Sequence, residues 1–199
     1  MSAHAIAAQA SAPVTGSQGL WLVSRASGVV LLILFTAVVV LGVSSRTGAT
    51  PRRWPRFTVA ELHRTLSLFA VALLALHVAT ALLDPYVSIG WIASVFPFAS
   101  PYETLAIGLG TLAVDICGAV LITSLLRARL GLRAWRAVHY LAYVAWPVAF
   151  LHSITAAGYD QHLGWVVASE WGSLTAVATT VLIRLRRRGR PGPVAGATL

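Results

Sequence analysis

The sequence predicts an all-α membrane protein, a bundle of about five transmembrane helices. Of its 199 residues, 57% are hydrophobic and only 11% are charged, whereas soluble domains carry roughly 25% charged residues. The apolar residues lie in runs close to the ~20 residues that cross a ~30 Å hydrocarbon core. All fifteen cations are arginines, and nearly all of them lie between these runs or after the last one.

The apolar runs predict five spans, in chain order at residues 20–43, 59–83, 102–126, 134–157 and 166–185. The second span is expected to end before Asp84-Pro85, since proline disfavours helix in the residue that precedes it. Pro101 is a natural starter for the third span, and Pro147 lies inside the fourth.

A different structure is predicted for each segment outside the spans. Residues 1–19 lack the cationic and apolar regions of a cleavable signal peptide. They are predicted to be a short disordered N-terminal tail. Residues 86–100 are apolar but too short to span and contain Pro97, so an interfacial or re-entrant segment is expected. The RARLGLR segment that precedes the fourth span is predicted to be a loop. Residues 186–199 are predicted to be a basic tail, which leaves 20–185 as the membrane domain.

The arginines predict the orientation of the bundle. They cluster in alternate connections and at the C-terminal end: Arg46, Arg52, Arg53 and Arg56; Arg127, Arg129, Arg133 and Arg136; Arg184, Arg186, Arg187, Arg188 and Arg190. By the positive-inside rule this side is cytoplasmic. The N-terminus is therefore expected outside and the C-terminus inside the cell, as five spans require. This distribution also argues against nucleic-acid binding, which needs a basic face on a soluble surface.

Four of the six histidines lie inside the predicted spans. His63 and His77 are fourteen residues apart on the second span, and His139 and His152 are thirteen apart on the fourth. At 1.5 Å per residue these separations are ~21 Å and ~20 Å. Because both spans run outward, His63 is expected to face His139 near the cytoplasm, and His77 to face His152 near the outside. Each level would then offer two imidazoles, as six-coordinate haem iron in a helical bundle requires.

The helical phase of the second pair is less regular. Fourteen residues return to within ~40° of one face of a helix, but thirteen fall ~140° short of four turns. His139 and His152 would therefore point apart on an ideal helix. Pro147 lies between them and is the predicted source of the correction, because proline removes a helical hydrogen bond and kinks the helix.

The histidine pattern resembles that of the ferric reductase-like transmembrane domain family. The segments ELHRTLSLFAVALLALHV and AWRAVHYLAYVAWPVAFLH resemble its ligand helices, and WLVSRASGVVLLIL resembles the first helix of compact bacterial members. The family includes ferric-chelate reductases, the membrane part of NADPH oxidases and the haem subunit of the bacterial methionine-sulfoxide reductase system. The resemblance covers roughly residues 20–185.

The resemblance implies a cytochrome b with two b-type haems in a bacterial plasma membrane. Its axial ligands would be His63 and His139 for the inner haem and His77 and His152 for the outer haem. Such a protein would be an oxidoreductase that transfers electrons from a cytoplasmic protein or quinol to ferric iron, oxygen or an external flavoprotein. A separate donor is expected, because the chain has no GxGxxG unit and no evident flavin or nicotinamide site.

Four further residues are candidates for the haem environment. Asp115 lies in the middle of the third span, where a carboxylate is costly, and is predicted to orient an axial imidazole or to belong to a proton path. Its alternative is a neutral carboxyl that bonds a nearby hydroxyl such as Thr111. Arg25 is the candidate partner of the outer haem propionates, and Arg64 and Arg136 of the inner ones. For the last two, an ordinary positive-inside role is the competing interpretation.

Two other functions remain open at this stage. The chain could be a haem-free membrane scaffold or anchor subunit, in which the histidines only hold the bundle together. Alternatively, one haem could be present with a quinone or flavin in place of the second. The visible spectrum of the purified protein distinguishes these three functions, because it gives haem type and stoichiometry.

Overall fold

The computed structural model describes residues 16–47, 55–85, 87 and 89–188. Most of the two predicted tails lies outside the described residues, as do Tyr86 and much of the first basic loop. The described residues form six α-helices and two short 3₁₀ helices and contain no strand. The α-helices are α1 Gly16–Thr47, α2 Arg56–Leu83, α3 Thr104–Leu125, α4 Arg127–His139, α5 Ala142–Ala156 and α6 Gly164–Arg188.

The helix lengths confirm an all-α membrane bundle. By length and composition, α1, α2, α3 and α6 can each cross a membrane. The pair α4 and α5 passes the same test together, with a bend of 42° at the break between them. The described part of the chain therefore has four candidate spans, or five when the bent pair counts as one. The orientation of the termini stays a prediction.

Several helices extend beyond their predicted ends, and one predicted loop is helical. Helix α1 already includes residues 16–19, and α6 continues to Arg188. The bounds of the membrane domain stay a prediction. The RARLGLR segment is largely helical, since arginine, alanine and leucine are good helix formers. Only Gly131 departs from helical geometry, with φ 76° and ψ 161°, a conformation that glycine adopts without a Cβ clash.

The bend in the fourth span does not occur at Pro147. Helix α4 ends at His139, and α5 begins at Ala142 with Pro147 inside it. Across the break the hydrogen bonds run to the third preceding residue, from the Leu141 amide to the Val138 carbonyl at 2.9 Å and from the Val144 amide to the Leu141 carbonyl at 2.8 Å. This is the tighter 3₁₀ pattern. The break therefore lies upstream of the proline that was predicted to cause it.

The helices pack mainly as two pairs, α1 with α2 and α3 with α5. Helix α1 also contacts α5 and α6, and the Trp146 indole N–H donates to the Thr36 hydroxyl at 2.9 Å, which joins α5 to α1. Val39 and Val43 form the small buried core with Trp146. Helices α2 and α5 carry three of the four histidines that lie in the predicted spans. They are not a closely packed pair, and the space between them forms the candidate site.

The connection between α2 and α3 is anchored on α3. It contains the 3₁₀ helix Trp91–Ser94, and the Thr111 hydroxyl donates to the Ala93 carbonyl at 2.6 Å. The Phe98 ring lies so close to Gly108 that a methyl group there would overlap it. Trp91 has an exposed side chain. Its predicted position at the membrane interface stays a prediction.

Candidate functional site

The structure brings the four membrane histidines together as two pairs. The ring centres of His63 and His139 are 6.3 Å apart, and those of His77 and His152 are also 6.3 Å apart. The interplanar angles are 74° and 75°. These are the pairs that the matched depths predicted. We call them the inner pair and the outer pair, after the sides on which the positive-inside rule places them.

The break after His139 explains how two histidines that are thirteen residues apart can both face α2, one at each level. On the uninterrupted α2, His63 and His77 return to nearly one face, as their fourteen-residue spacing requires. On the other side of the site, His139 is the last residue of α4, and His152 lies on α5 after the 42° bend. The bend gives each of these two histidines its own helix direction, so both can face α2.

Three of the imidazoles have their Nδ1 atoms next to backbone carbonyls. The Nδ1 of His63 is 3.0 Å from the Val38 oxygen, that of His77 is 2.9 Å from the Ser24 oxygen, and that of His152 is 2.7 Å from the Ala106 oxygen. A carbonyl can only accept, so each of these Nδ1 atoms carries the proton. The Nε2 atom of a neutral ring then has a lone pair available for a metal ion.

His139 has an aromatic neighbour. Its ring stacks on Trp135, with centres 4.9 Å apart and an interplanar angle of 28°. The Arg127 guanidinium lies 4.5 Å from the centre of the Trp135 ring. The Trp135 indole N–H donates to the Ser124 hydroxyl at 3.3 Å, which connects α4 to α3. Neither Arg127 nor Trp135 was among the site residues predicted from the sequence.

A single cavity runs past both histidine pairs. It has a volume of about 1310 Å³ and is lined mainly by apolar side chains, which exceeds the roughly 300–1,000 Å³ of ordinary small-molecule pockets. Trp21, Arg25 and Asp160 line it near the outer pair. Arg64 and Trp135 line it near the inner pair. We refer to this space as the central cavity.

The spacing of the rings fits axial ligation of one iron at each level. Metal–imidazole bonds are about 2 Å long, and each ring centre lies about 1 Å behind its nitrogen, so two opposed ligands have centres about 6 Å apart. The observed 6.3 Å agrees at both levels. Among the described residues, no three or more His, Cys, Asp or Glu side chains converge on a metal position. Two facing imidazoles at each level would suit a haem, whose macrocycle provides the other four iron ligands.

The predicted arginines occupy different environments. Arg25 and Arg64 line the central cavity, whereas Arg136 does not, and Arg127 lines it instead. Arg25 also donates to the Ala156 carbonyl at 2.6 Å and to the Ala157 carbonyl at 3.1 Å, and it lies 3.3 Å from the Asp160 carboxylate. Arg25 therefore caps the C-terminal end of α5 and connects it to α1.

The structure does not bring Asp115 to either histidine pair. Its side chain is exposed on α3 and does not line the central cavity. The imidazole protons that a carboxylate could have accepted are directed at backbone carbonyls in His63, His77 and His152. The Thr111 hydroxyl, which was the alternative partner, donates to the carbonyls of Ala93 and Ile107. The sequence-based expectation that Asp115 orients an axial ligand is therefore not supported.

Fold and site together define a multi-pass helical membrane protein with two opposed histidine pairs along one cavity. The family model described as ferric reductase like transmembrane component matches residues 27–150, more than half of the chain. The chain belongs to this family. The matched segment contains His63, His77 and His139 and ends two residues before His152. No curated protein and no solved structure has significant similarity to the chain.

Membership of this family indicates transmembrane electron transfer in general. Its members are membrane components that generally bind haem and typically work with redox partners.

Proposed function

We propose that the protein is a dihaem b-type membrane cytochrome that carries electrons across a bacterial plasma membrane. His63 and His139 would hold the inner haem, and His77 and His152 the outer haem. The electrons would come from a cytoplasmic protein or a membrane quinol and reduce ferric iron, oxygen or an external flavoprotein. The observation that carries this proposal is the ring-centre distance of 6.3 Å, repeated at both levels.

When bound, haem iron supplies reversible one-electron chemistry. The side chains of this protein determine its surroundings. Donation from Nδ1 to a carbonyl fixes the ring orientation and raises the basicity of Nε2, which favours the ferric state of a ligated iron.

Cations are available at both ends of the central cavity for the haem carboxylates. Arg25 lines its outer part, and Arg64 and Arg127 line its inner part. An arginine fork suits a carboxylate, with which it forms charge-assisted hydrogen bonds. We therefore retain Arg25 and Arg64 as candidate propionate partners. We add Arg127, and we give Arg136 no such role because it does not line the cavity.

The direction of electron flow depends on the orientation that the arginine distribution predicts. A reporter domain fused after Leu199 should be active only in the cytoplasm, and one inserted near Gln161 only outside. If both reporters were active on the same side, the assignment of the two histidine pairs to the inner and outer sides of the membrane would be wrong. The geometry within each pair would not be affected.

The purified protein tests the proposal through its visible spectrum. We expect two b-type haems per chain, measured as haemochrome absorbance against protein concentration. The visible absorption bands should shift on reduction by dithionite and return on reoxidation. His162→Ala, at the exposed end of the 3₁₀ helix Gly158–His162 before α6, should retain both haems and serves as the control. A ratio of one haem per chain would favour the single-haem alternative, and a colourless protein the scaffold.

A further inference from the structure

Three glycines lie against three of the paired histidines. A Cβ atom built on Gly110 would lie 2.7 Å from Cε1 of His152, one on Gly28 would lie 3.0 Å from Cε1 of His77, and one on Gly42 would lie 3.3 Å from Cε1 of His63. Real Cβ atoms essentially never approach within 3.0 Å of another heavy atom. The His152 ring therefore occupies space that a Cβ atom at Gly110 would fill. At Gly28 and Gly42 the contact is tighter than usual, and the histidine ring would have to move by a few tenths of an ångström to admit a Cβ atom.

The glycines have a fixed relation to the carbonyls that accept the imidazole protons. The acceptors are Ser24, Val38 and Ala106, and each one is four residues before its glycine. In a helix, the carbonyl of residue i already bonds the amide of residue i+4. Side chains tilt toward the N-terminus, so the side chain of residue i+4 covers the surface beside that carbonyl. Glycine at this position leaves the second lone pair of the carbonyl accessible to the imidazole.

The spacing of the glycines on α1 matches the spacing of the histidines on α2. Gly28 and Gly42 are fourteen residues apart, as are His63 and His77. Because α1 and α2 are connected in sequence and pack side by side in opposite directions, Gly42 faces His63 and Gly28 faces His77. The same arrangement occurs on a different pair of helices, where α3 provides Gly110 and Ala106 to His152 of α5. Three independent sites thus combine a glycine with a carbonyl one turn earlier.

We infer that Gly28, Gly42 and Gly110 are positioning residues, which let each imidazole approach a neighbouring helix closely enough to donate its Nδ1 proton to a backbone carbonyl. The inference rests on the proposed function, because it assigns these residues to haem ligation. Each glycine acts through one histidine, so Gly28 and Gly110 serve the outer pair and Gly42 serves the inner pair.

Single alanine substitutions test the inference. Gly110→Ala should reduce the outer haem content by roughly half or more, because the methyl group displaces His152 and overpacks the site. Gly28→Ala should have a smaller effect on the same centre, and Gly42→Ala the smallest effect, on the inner centre. Haem per chain, the midpoint potential of each centre and the paramagnetic resonance signals of the two ferric haems measure these changes.

Gly118→Ala is the matched control. Gly118 lies on α3 eight residues after Gly110, and a Cβ atom there has no neighbour within 4 Å. Since alanine favours helix over glycine at all these positions, general helix destabilisation cannot explain a loss that is confined to Gly28, Gly42 and Gly110. We expect the control to retain both haems with unchanged potentials and resonance signals.

The outcomes separate the inference from the proposed function. A wild-type protein without haem would defeat the proposed function. A wild-type protein with two haems, together with a Gly110→Ala variant whose content, potentials and resonance signals match it, would overturn the inference alone. An equal loss of haem from both centres in every variant would also overturn the inference. If Gly110→Ala does not accumulate in the membrane, Gly42→Ala decides, because its 3.3 Å contact needs only a small displacement of His63; an unchanged inner centre would then overturn the inference.

Discussion

The inner and outer histidine pairs have nearly the same geometry but different support. Both ring-centre distances are 6.3 Å, and the interplanar angles differ by only one degree. In the outer pair, each imidazole approaches a carbonyl of a continuous helix, from Ser24 on α1 and from Ala106 on α3. In the inner pair, His63 has a carbonyl of this kind, whereas His139 ends a helix and stacks on Trp135.

The difference shows that one arrangement of two facing imidazoles can be supported in two ways. A backbone carbonyl fixes an imidazole through the direction of one hydrogen bond, and this contact requires a glycine on the neighbouring helix. The aromatic stack on Trp135 orients the plane of the His139 ring without a glycine on a neighbouring helix. We therefore expect the outer pair to tolerate less change in its surroundings than the inner pair.

The largest effects are expected from the histidines themselves. His77→Ala or His152→Ala should remove the outer haem, and His63→Ala or His139→Ala the inner haem, because each iron would lose one of two protein ligands. About half of the dithionite-reduced haem absorbance should disappear in each variant. Quantitative haemochrome spectra measure this loss. If all four variants kept a full haem complement, the assignment of ligands would be wrong.

The next largest effect is expected at the outer end of the central cavity. Arg25→Gln removes a charged donor from the Ala156 and Ala157 carbonyls and should destabilise the protein by about 1.5–3 kcal/mol, the usual contribution of hydrogen bonds from a charged group. The outer haem should then be lost at a lower temperature than the inner haem. Thermal denaturation followed by haem absorbance measures the difference.

Asp160→Asn is the matched comparison for Arg25→Gln. The Arg25–Asp160 pair is partly exposed, with side-chain exposures of 30% and 20%, and such pairs contribute at most about 1 kcal/mol. The asparagine variant should therefore be closer to the wild type. Equal destabilisation by both substitutions would mean that the ion pair, and not the carbonyl contacts, holds α1 to the end of α5.

A smaller effect is expected at the inner pair. Trp135→Leu removes the stack on His139, and aromatic pairs contribute about 0.5–1.5 kcal/mol beyond their buried area. Inner haem affinity should fall by up to about tenfold, and the outer centre should not change. Haem retention during dilution in detergent measures this affinity.

Two variants control for the loss of Trp135. Trp135→Phe keeps an aromatic face and should preserve most of the affinity. Trp171→Leu should have no effect on either centre, since its side chain is 63% exposed on α6. An outer centre that weakened as much as the inner one in Trp135→Leu would contradict the separate support of the two pairs.

The smallest effect is expected from Asp115. Its exposed side chain on α3 lies outside the central cavity, so Asp115→Asn should leave both midpoint potentials where they are in the wild type. Redox titrations at several pH values measure this. A potential raised at one centre only would restore the orienting role that the sequence suggested.

The features that could be predicted from the sequence depend on length and depth. Five apolar runs predicted four of the helices and the bent fifth, because a membrane fixes the number of residues in a span. The pairing of His63 with His139, and of His77 with His152, followed from counting residues along the helices, since the rise per residue is constant.

The features that could not be predicted depend on the directions in which side chains point and helices run. Asp115 lies on a helix that is apolar all round, so no polar face indicated which way its side chain points. The break at Tyr140 and Leu141 has no proline or glycine to mark it. The partners of Arg25 lie more than 130 residues away in sequence. The equal spacing of Gly28–Gly42 and His63–His77 was the one signal present in the sequence that could have located the carbonyl contacts.

The pairwise packing of the helices has a consequence for how the protein is assembled in the cell. Helix α1 packs most closely on α2, and α3 packs on α4 and α5; each of these two groups contributes one histidine to each level. On the proposed function, each haem would therefore add a cross-link between the two groups, beside the contacts that α1 makes with α5. A ligand that binds only the joined state stabilises it in proportion to the logarithm of its concentration. The abundance of the intact protein should accordingly follow the supply of haem during synthesis, so that a haem-starved cell would accumulate fewer complete molecules.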